Sequence, residues 1–262
     1  MTEGQLLGIG LDVGSTTTKG VLVDSKRSIL ASYLQSTGAS ASTAVKRVFE
    51  DLTSSSGLDL TNVNTIGTGY GRNMVDFAQK SVTEITCHSV GVHQLNPDIE
   101  LLVDVGGQDA KVIRIGRNGR PTDFELNDKC SAGTGRFLEV MAQVLEVSLD
   151  ELGPLALESK TPCSISSTCT VFAESEVVGR IGSGEFPMDI AAGIHQSMAA
   201  KISSLSKRVG VATPICVTGG VARNPAFRYY LSKQLGHELW IPKIPQLTGA
   251  LGAALLALED SN

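Results

Sequence analysis

The residues able to do chemistry fall in a few short segments. Two of them repeat each other. Leu11-Asp-Val-Gly-Ser-Thr-Thr-Thr-Lys19 aligns without a gap with Val103-Asp-Val-Gly-Gly-Gln-Asp-Ala-Lys111, placing Asp104 on Asp12 and Lys111 on Lys19. Each reads as strand, glycine turn, strand, so the chain is expected to contain two similar half-folds. Gly14, Ser15, Thr16 and Thr17 combine small side chains, hydroxyls and open amides, which lets backbone N–H groups approach phosphate oxygens. Lys19 either reaches a phosphate as a point charge or lies solvated beside its strand. Asp12 ends a strand at the turn, where a carboxylate holds Mg²⁺ through water or merely caps the turn. Asp104 is its counterpart, followed by Gly106, Gly107, Gln108 and Asp109. Gln108 and Asp109 carry groups that orient or deprotonate an attacking water. Two such turns facing one cleft would grip a polyphosphate from both sides; two ordinary hairpins are the plainer alternative.

A third segment, Val217-Thr-Gly-Gly-Val-Ala-Arg-Asn-Pro225, reads as a buried strand, a turn at Gly219 and Gly220, and a helix starting near Asn224. Its backbone suits the flat face of a nucleobase or ribose. Two cysteines complete the set. Cys130 lies in Asn127-Asp-Lys-Cys-Ser-Ala-Gly-Thr-Gly-Arg and Cys169 in Ser166-Ser-Thr-Cys-Thr-Val-Phe-Ala-Glu. Both precede an expected helix, and a helix N-terminus favours thiolate and anionic groups. A 4Fe–4S cluster on four thiolates is such a group. One chain offers two positions, and a two-fold dimer would supply four. Burial as small hydrophobes is the common fate of a cysteine, but the neighbours here are polar. Cys163 is a possible alternate ligand; it, Cys87 and Cys216 are read as structural. His88, His93, His195 and His237 show no zinc-like pairing with the cysteines and are read as ordinary.

The elements that must position these residues are expected as follows. Strands fall at Leu6–Val13, Gly20–Asp24, Ile29–Tyr33, Val63–Thr68, Leu101–Val105, Lys111–Ile115 and Ile215–Thr218. Helices fall at about Thr43–Leu52 with Thr43 as cap, Thr134–Leu145, Val171–Arg180, Pro187–Val209, Asn224–Leu235 and Gln246–Leu258. The chain has 262 residues, 42% hydrophobic and 19% charged, enough for a sizeable core. A net charge of −5 argues against nucleic-acid binding through phosphates. No apolar run reaches the ~20 residues of a membrane span, and no basic leader precedes the first strand. A cytoplasmic protein is expected, and five cysteines there are free thiols or ligands.

The glycine turns resemble those of the acetate and sugar kinase, heat-shock ATPase and actin superfamily. That likeness implies an α/β fold of two ribonuclease-H-like domains, 1–97 plus 246–262 and 98–245, with ATP in the interdomain cleft. Gly249–Ala254 would then lie on a closing helix, where small residues let interdomain helices pack tightly. The cysteine segments resemble, over nearly the whole chain, the BadF/BadG/BcrA/BcrD-type ATPases, in particular the activators of 2-hydroxyacyl-CoA dehydratases and the benzoyl-CoA reductase ATPase subunits. The resemblance implies that Cys130 and Cys169 of each homodimer subunit ligate one bridging 4Fe–4S cluster. It implies Mg²⁺ and ATP, ferredoxin or flavodoxin as electron donor, and an iron–sulfur dehydratase or reductase as acceptor. Reductases of double-cubane cluster proteins share these segments. A small-molecule kinase, or a regulatory module without redox chemistry, is the remaining alternative.

Overall fold

A computed structural model describes residues 6–166 and 169–261. They form two compact units, one comprising the residues up to Ile99, Ile115–Thr122 and the stretch from Gln246, the other Glu100–Arg114 and Asp123–Pro245. In the first unit β1 (Leu7–Val13), β2 (Thr17–Asp24), β3 (Ile29–Ser36), β4 (Asn64–Thr68) and β5 (Lys80–Ser81) form a sheet of order β3-β2-β1-β4-β5. β1 pairs antiparallel with β2 and parallel with β4. The second unit repeats this order with β6 (Leu101–Val105), β7 (Ala110–Ile115), β8 (Pro121–Asn127), β9 (Ile215–Thr218) and β10 (Leu239–Trp240), arranged β10-β9-β6-β7-β8. β6 likewise pairs antiparallel with β7 and parallel with β9. The duplication seen in one segment therefore extends to the whole sheet.

The alternation along β1 sets the layers of the first unit. Ile9, Leu11 and Val13 pack with Val45, Val48 and Leu52 of α1 (Ala41–Ser56), each such apolar side chain contributing roughly 1.5–3 kcal/mol on burial. Gly8 and Gly10 point the other way, and a Cβ on Gly10 would collide with the Ala250 carbonyl of α8 (Thr248–Glu259). α8 is buried from Thr248 to Leu258, as an apolar all-round helix must be. Its Gly252 lies against the Cys87 carbonyl of α2 (Glu84–Leu95), and Gly91 of α2 lies against the Thr248 carbonyl. The small residues of Gly249–Ala254 thus let α8 pack closely on β1 and α2 within the first unit. In the second unit α3 (Gly135–Val144), α4 (Leu149–Leu157), α5 (Thr170–Gly182), α6 (Pro187–Val209) and α7 (Pro225–Leu235) build one core with β6, β7 and β9.

Three differences from the sequence expectation have physical causes. α1 is capped by Ser40, whose Oγ accepts from the Thr43 amide, so the helix starts earlier than Thr43. α2 was missed because its buried face is Cys87, His88, Ser89, Gly91 and Val92, small and polar rather than aliphatic. α4 carries Pro154 in its interior, which hid a helix announced by the Ser148–Glu151 capping box.

Candidate functional site

In the first unit the strand register sets Asp12 opposite Lys19 on β2 and opposite Thr68 on β4. Lys19 Nζ lies 3.1 Å from Asp12 Oδ2, with the two side chains only 12% and 5% exposed. Lys19 is therefore the counter-ion of Asp12, not a solvated charge. The Gly14 amide donates to the Thr17 carbonyl at 3.0 Å, closing the turn, and Ser15 and Thr16 stand exposed at its tip. Thr37 steadies it by donating its hydroxyl to the Gly14 carbonyl at 2.8 Å. Gly69 follows Thr68 with φ +88°, and a Cβ there would lie 2.6 Å from the Val13 carbonyl. Beside Asp12, a Cβ on Gly249 would sit 2.9 Å from His88 Nε2 and 3.0 Å from Asp12 Oδ2. His88 Nδ1 lies 2.9 Å from Thr248 Oγ1. His88 and Thr248 are thus neighbours of Asp12, a proximity between distant segments that no local motif announces.

The second unit repeats the Asp–Lys pair and adds a second acid, Asp109, where the first unit has Thr17. Asp104 faces Lys111 on β7 and Thr218 on β9. Lys111 Nζ lies 3.2 Å from Asp104 Oδ2 and 2.9 Å from Asp109 Oδ2, and the Lys111 and Asp104 side chains are each 3% exposed. Thr218 donates its hydroxyl to Asp104 Oδ1 at 2.7 Å. The two carboxylates share one ammonium and together keep one net negative charge. Gln108 is exposed at the tip of the turn, which the Gly106 amide closes on the Asp109 carbonyl at 2.9 Å. Gly219, the counterpart of Gly69, has φ +85°, and a Cβ there would collide with the Val105 carbonyl. Gly220 is exposed beside it. Asn224 uses its Oδ1 to cap α7, accepting from the Phe227 amide at 2.9 Å. The Thr-Gly pairs 68–69 and 218–219 are a second repeat that the Asp-Val-Gly comparison alone does not reveal.

The two cysteine segments also meet in this unit. Ser131 and Thr170, the residues after each cysteine, share a hydroxyl–hydroxyl hydrogen bond of 2.8 Å. Cys169 is the N-cap residue of α5, as expected. Cys130 is not at a helix start: Thr134 caps α3, and the first amides of α3, those of Gly135 and Arg136, donate to the carbonyls of Gly106 and Gly107 at 2.8 and 2.7 Å. The start of α3 is thus tied to the second glycine turn. The positive group beside Cys130 is instead Lys201 of α6, whose Nζ lies 3.3 Å from its Sγ. Both thiols are partly exposed. Ser167 and Thr168 lie outside the described residues. The other cysteines differ in kind. Burial raises Cys87 to about 12 and pushes Cys216 upward as well. Cys163 donates its thiol to the Asp189 carbonyl, and burial beside Glu185 lifts it to about 11. Among the described residues no group of three or more His, Cys, Asp or Glu is placed to hold a metal, and no helix is long and apolar enough to cross a membrane.

The two sheets share one topology, and each presents an Asp–Lys pair and a glycine turn. At the level of fold alone, a ROK family glucokinase from Streptomyces griseus superposes with a TM-score of 0.56 at 15% identity, over 97% of this chain and 99% of that one. Residues 9–257 match the BadF/BadG/BcrA/BcrD ATPase family, and the chain belongs to it. It is 42% identical over 254 residues to the (R)-2-hydroxyglutaryl-CoA dehydratase activating ATPase of Acidaminococcus fermentans, covering 97% of each protein. The activator of the 2-hydroxyisocaproyl-CoA dehydratase from Clostridium difficile, solved with bound ADPNP, superposes with a TM-score of 0.90 at 45% identity, over 97% of this chain and 95% of that one.

Proposed function

We propose that this protein is an ATP-dependent reductive activator. In this reading one 4Fe–4S cluster is shared between two copies of the chain. Hydrolysis of ATP with Mg²⁺ drives a low-potential electron to an iron–sulfur partner of the 2-hydroxyacyl-CoA dehydratase type. The observation that carries the reading is the Ser131–Thr170 hydrogen bond. It joins the two cysteine segments, and the first of them runs into a helix whose opening amides are held by Gly106 and Gly107. The activities named for the Acidaminococcus and Clostridium relatives agree with it.

The cysteines fit half of a cubane site. Cys130 and Cys169 are partly exposed, and the segments that carry them are joined. A second copy related by a two-fold axis would complete four thiolates. Val171 and Phe172, directly after Cys169, are 65% and 72% exposed, an apolar surface that such a copy would cover. When bound, the cluster supplies a one-electron store. Cys169 would hold its share at the positive end of α5. Gly14–Thr17 and Gly106–Asp109 would receive the phosphates, and Asp12 and Asp104 would hold the Mg²⁺. Gln108 and Asp109 would orient the attacking water, and the loop at Gly219, Gly220 and Asn224 would carry the adenosine. Movement of Gly106 and Gly107 would then shift the start of α3, and through Ser131 and Thr170 it would reach Cys169. Nucleotide drives that shift only by binding the two arrangements differently. Ferredoxin or flavodoxin would reload the cluster, in the cytoplasm.

Iron and sulfide analysis of anaerobically purified protein tests the reading. About four irons per dimer are expected, with Cys130→Ala and Cys169→Ala each losing them. Full iron content in either single variant would sink the shared-cluster assignment. A colourless protein that makes ADP only with an added acceptor would instead be a small-molecule kinase.

A further inference from the structure

Cys169 and Cys130 receive positive charge from different sources. Cys169 caps α5 and has the dipole of that helix. Cys130 has no such help, because the first amides of α3 already bond the Gly106 and Gly107 carbonyls. In its place stands Lys201, 3.3 Å from the Cys130 sulfur. The lysine is built into the loop rather than draped over it. Gly133 has φ +92°, and a Cβ there would touch Lys201 Cγ and Cδ at 3.4 and 3.5 Å. The Cys130 loop therefore lies directly on the aliphatic stem of Lys201, while its ammonium meets the sulfur. The Cys130 peptide is fixed from the other side by Asn127, whose Nδ2 donates to the Cys130 and Ala132 carbonyls at 2.9 and 3.2 Å.

We propose that Lys201 is a positioning residue for the electron-transfer site, pinning the Cys130 thiolate and setting the reduction potential of the group it ligates. The inference rests on the shared-cluster reading. One electron from an external reductant enters the cluster, and the reduced form carries one more negative charge than the oxidised form. A fixed ammonium donating to a ligand sulfur stabilises the reduced form more, and so raises the potential. Lysine serves here because its charge is compact and its stem fills the space under Gly133.

The test is anaerobic redox titration of the whole protein as wild type, Lys201→Met, Lys201→Arg and Lys207→Met. Lys207 is an exposed charge on the same helix and controls for net charge. Lys201→Met should keep its iron and shift the one-electron equilibrium about tenfold toward the oxidised form, a fall of about 59 mV. Lys201→Arg should stay within about threefold of wild type, and Lys207→Met should not move. If Lys201→Met fails to hold iron while Lys201→Arg holds it, the pinning role is upheld. An unchanged potential in iron-loaded Lys201→Met overturns the inference, as does an equal shift in Lys207→Met or iron loss in both Lys201 variants. Wild-type protein without a cluster overturns the shared-cluster reading itself, and this inference with it.

Discussion

An Asp104→Asn substitution should cost the protein both stability and ATP hydrolysis, and the structure gives the size of the first. Asp104 and Lys111 are a buried pair, each side chain 3% exposed, with Oδ2 and Nζ 3.2 Å apart. Removing one member of such a pair typically costs about 3–5 kcal/mol, because a charge is stranded away from water. Here Lys111 keeps Asp109 at 2.9 Å, so the loss should be about 2–3 kcal/mol, a drop in Tm of about 5–10 °C for a chain of this length. Lys111→Met should cost a similar amount, since it leaves Asp104 and Asp109 without their shared cation. The double variant Asp104→Asn/Lys111→Met strands no buried charge. It should be no less stable than either single, a coupling of at least about 2 kcal/mol. Urea unfolding of the four proteins measures this. Strictly additive losses would refute the buried-pair reasoning. Hydrolysis at the parental rate in Asp104→Asn would refute the placement of Mg²⁺.

Other outcomes follow from single contacts. His195 is buried in α6, its Nδ1 2.7 Å from the Ala191 carbonyl, and desolvation lowers it to about 4 from an ordinary 6.5. The unfolded chain takes up this proton first, so stability is full above about pH 6.5 and falls toward pH 4, by about 2 kcal/mol at pH 5; His195→Asn should flatten that slope in denaturation curves at pH 7.5 and 5. Gly219→Ala, at φ +85° and against the Val105 carbonyl, should cost about 2 kcal/mol and raise the KM for ATP; unchanged values of both would mean the loop lies elsewhere. Cys216→Ala should keep full iron and lose about 1 kcal/mol, read by iron assay and thermal melt, with iron loss contradicting its core role.

The parts of the fold and site that were legible in the sequence are those encoded locally. The Asp-Val-Gly repeat carries its own register, and the strands pair Asp12 with Lys19 and Asp104 with Lys111 as the repeat implies. Pro187 opens α6 as expected. What escaped was set by tertiary packing. Lys201 meets Cys130 across a long stretch of chain, and no periodicity relates them. His88 comes to the neighbourhood of Asp12 because Gly91 and Gly252 let α2 and α8 approach closely. The Thr68 and Thr218 counterparts are matched by sheet position, not by flanking sequence. Cys130 stands clear of α3 because the residues before that helix form a loop held by the second turn.

In the reductive-activator reading, nucleotide state is felt at Cys130 and Cys169 through the chain of bonds from Gly106 and Gly107. Iron loss to a chelator, followed on reduced protein without nucleotide, with ADP and with a nonhydrolysable ATP analogue, tests it most directly. Loss should be faster with the ATP analogue than with ADP or with no nucleotide. Identical traces in all three conditions would contradict it and leave the cysteine site uncoupled from the ATPase.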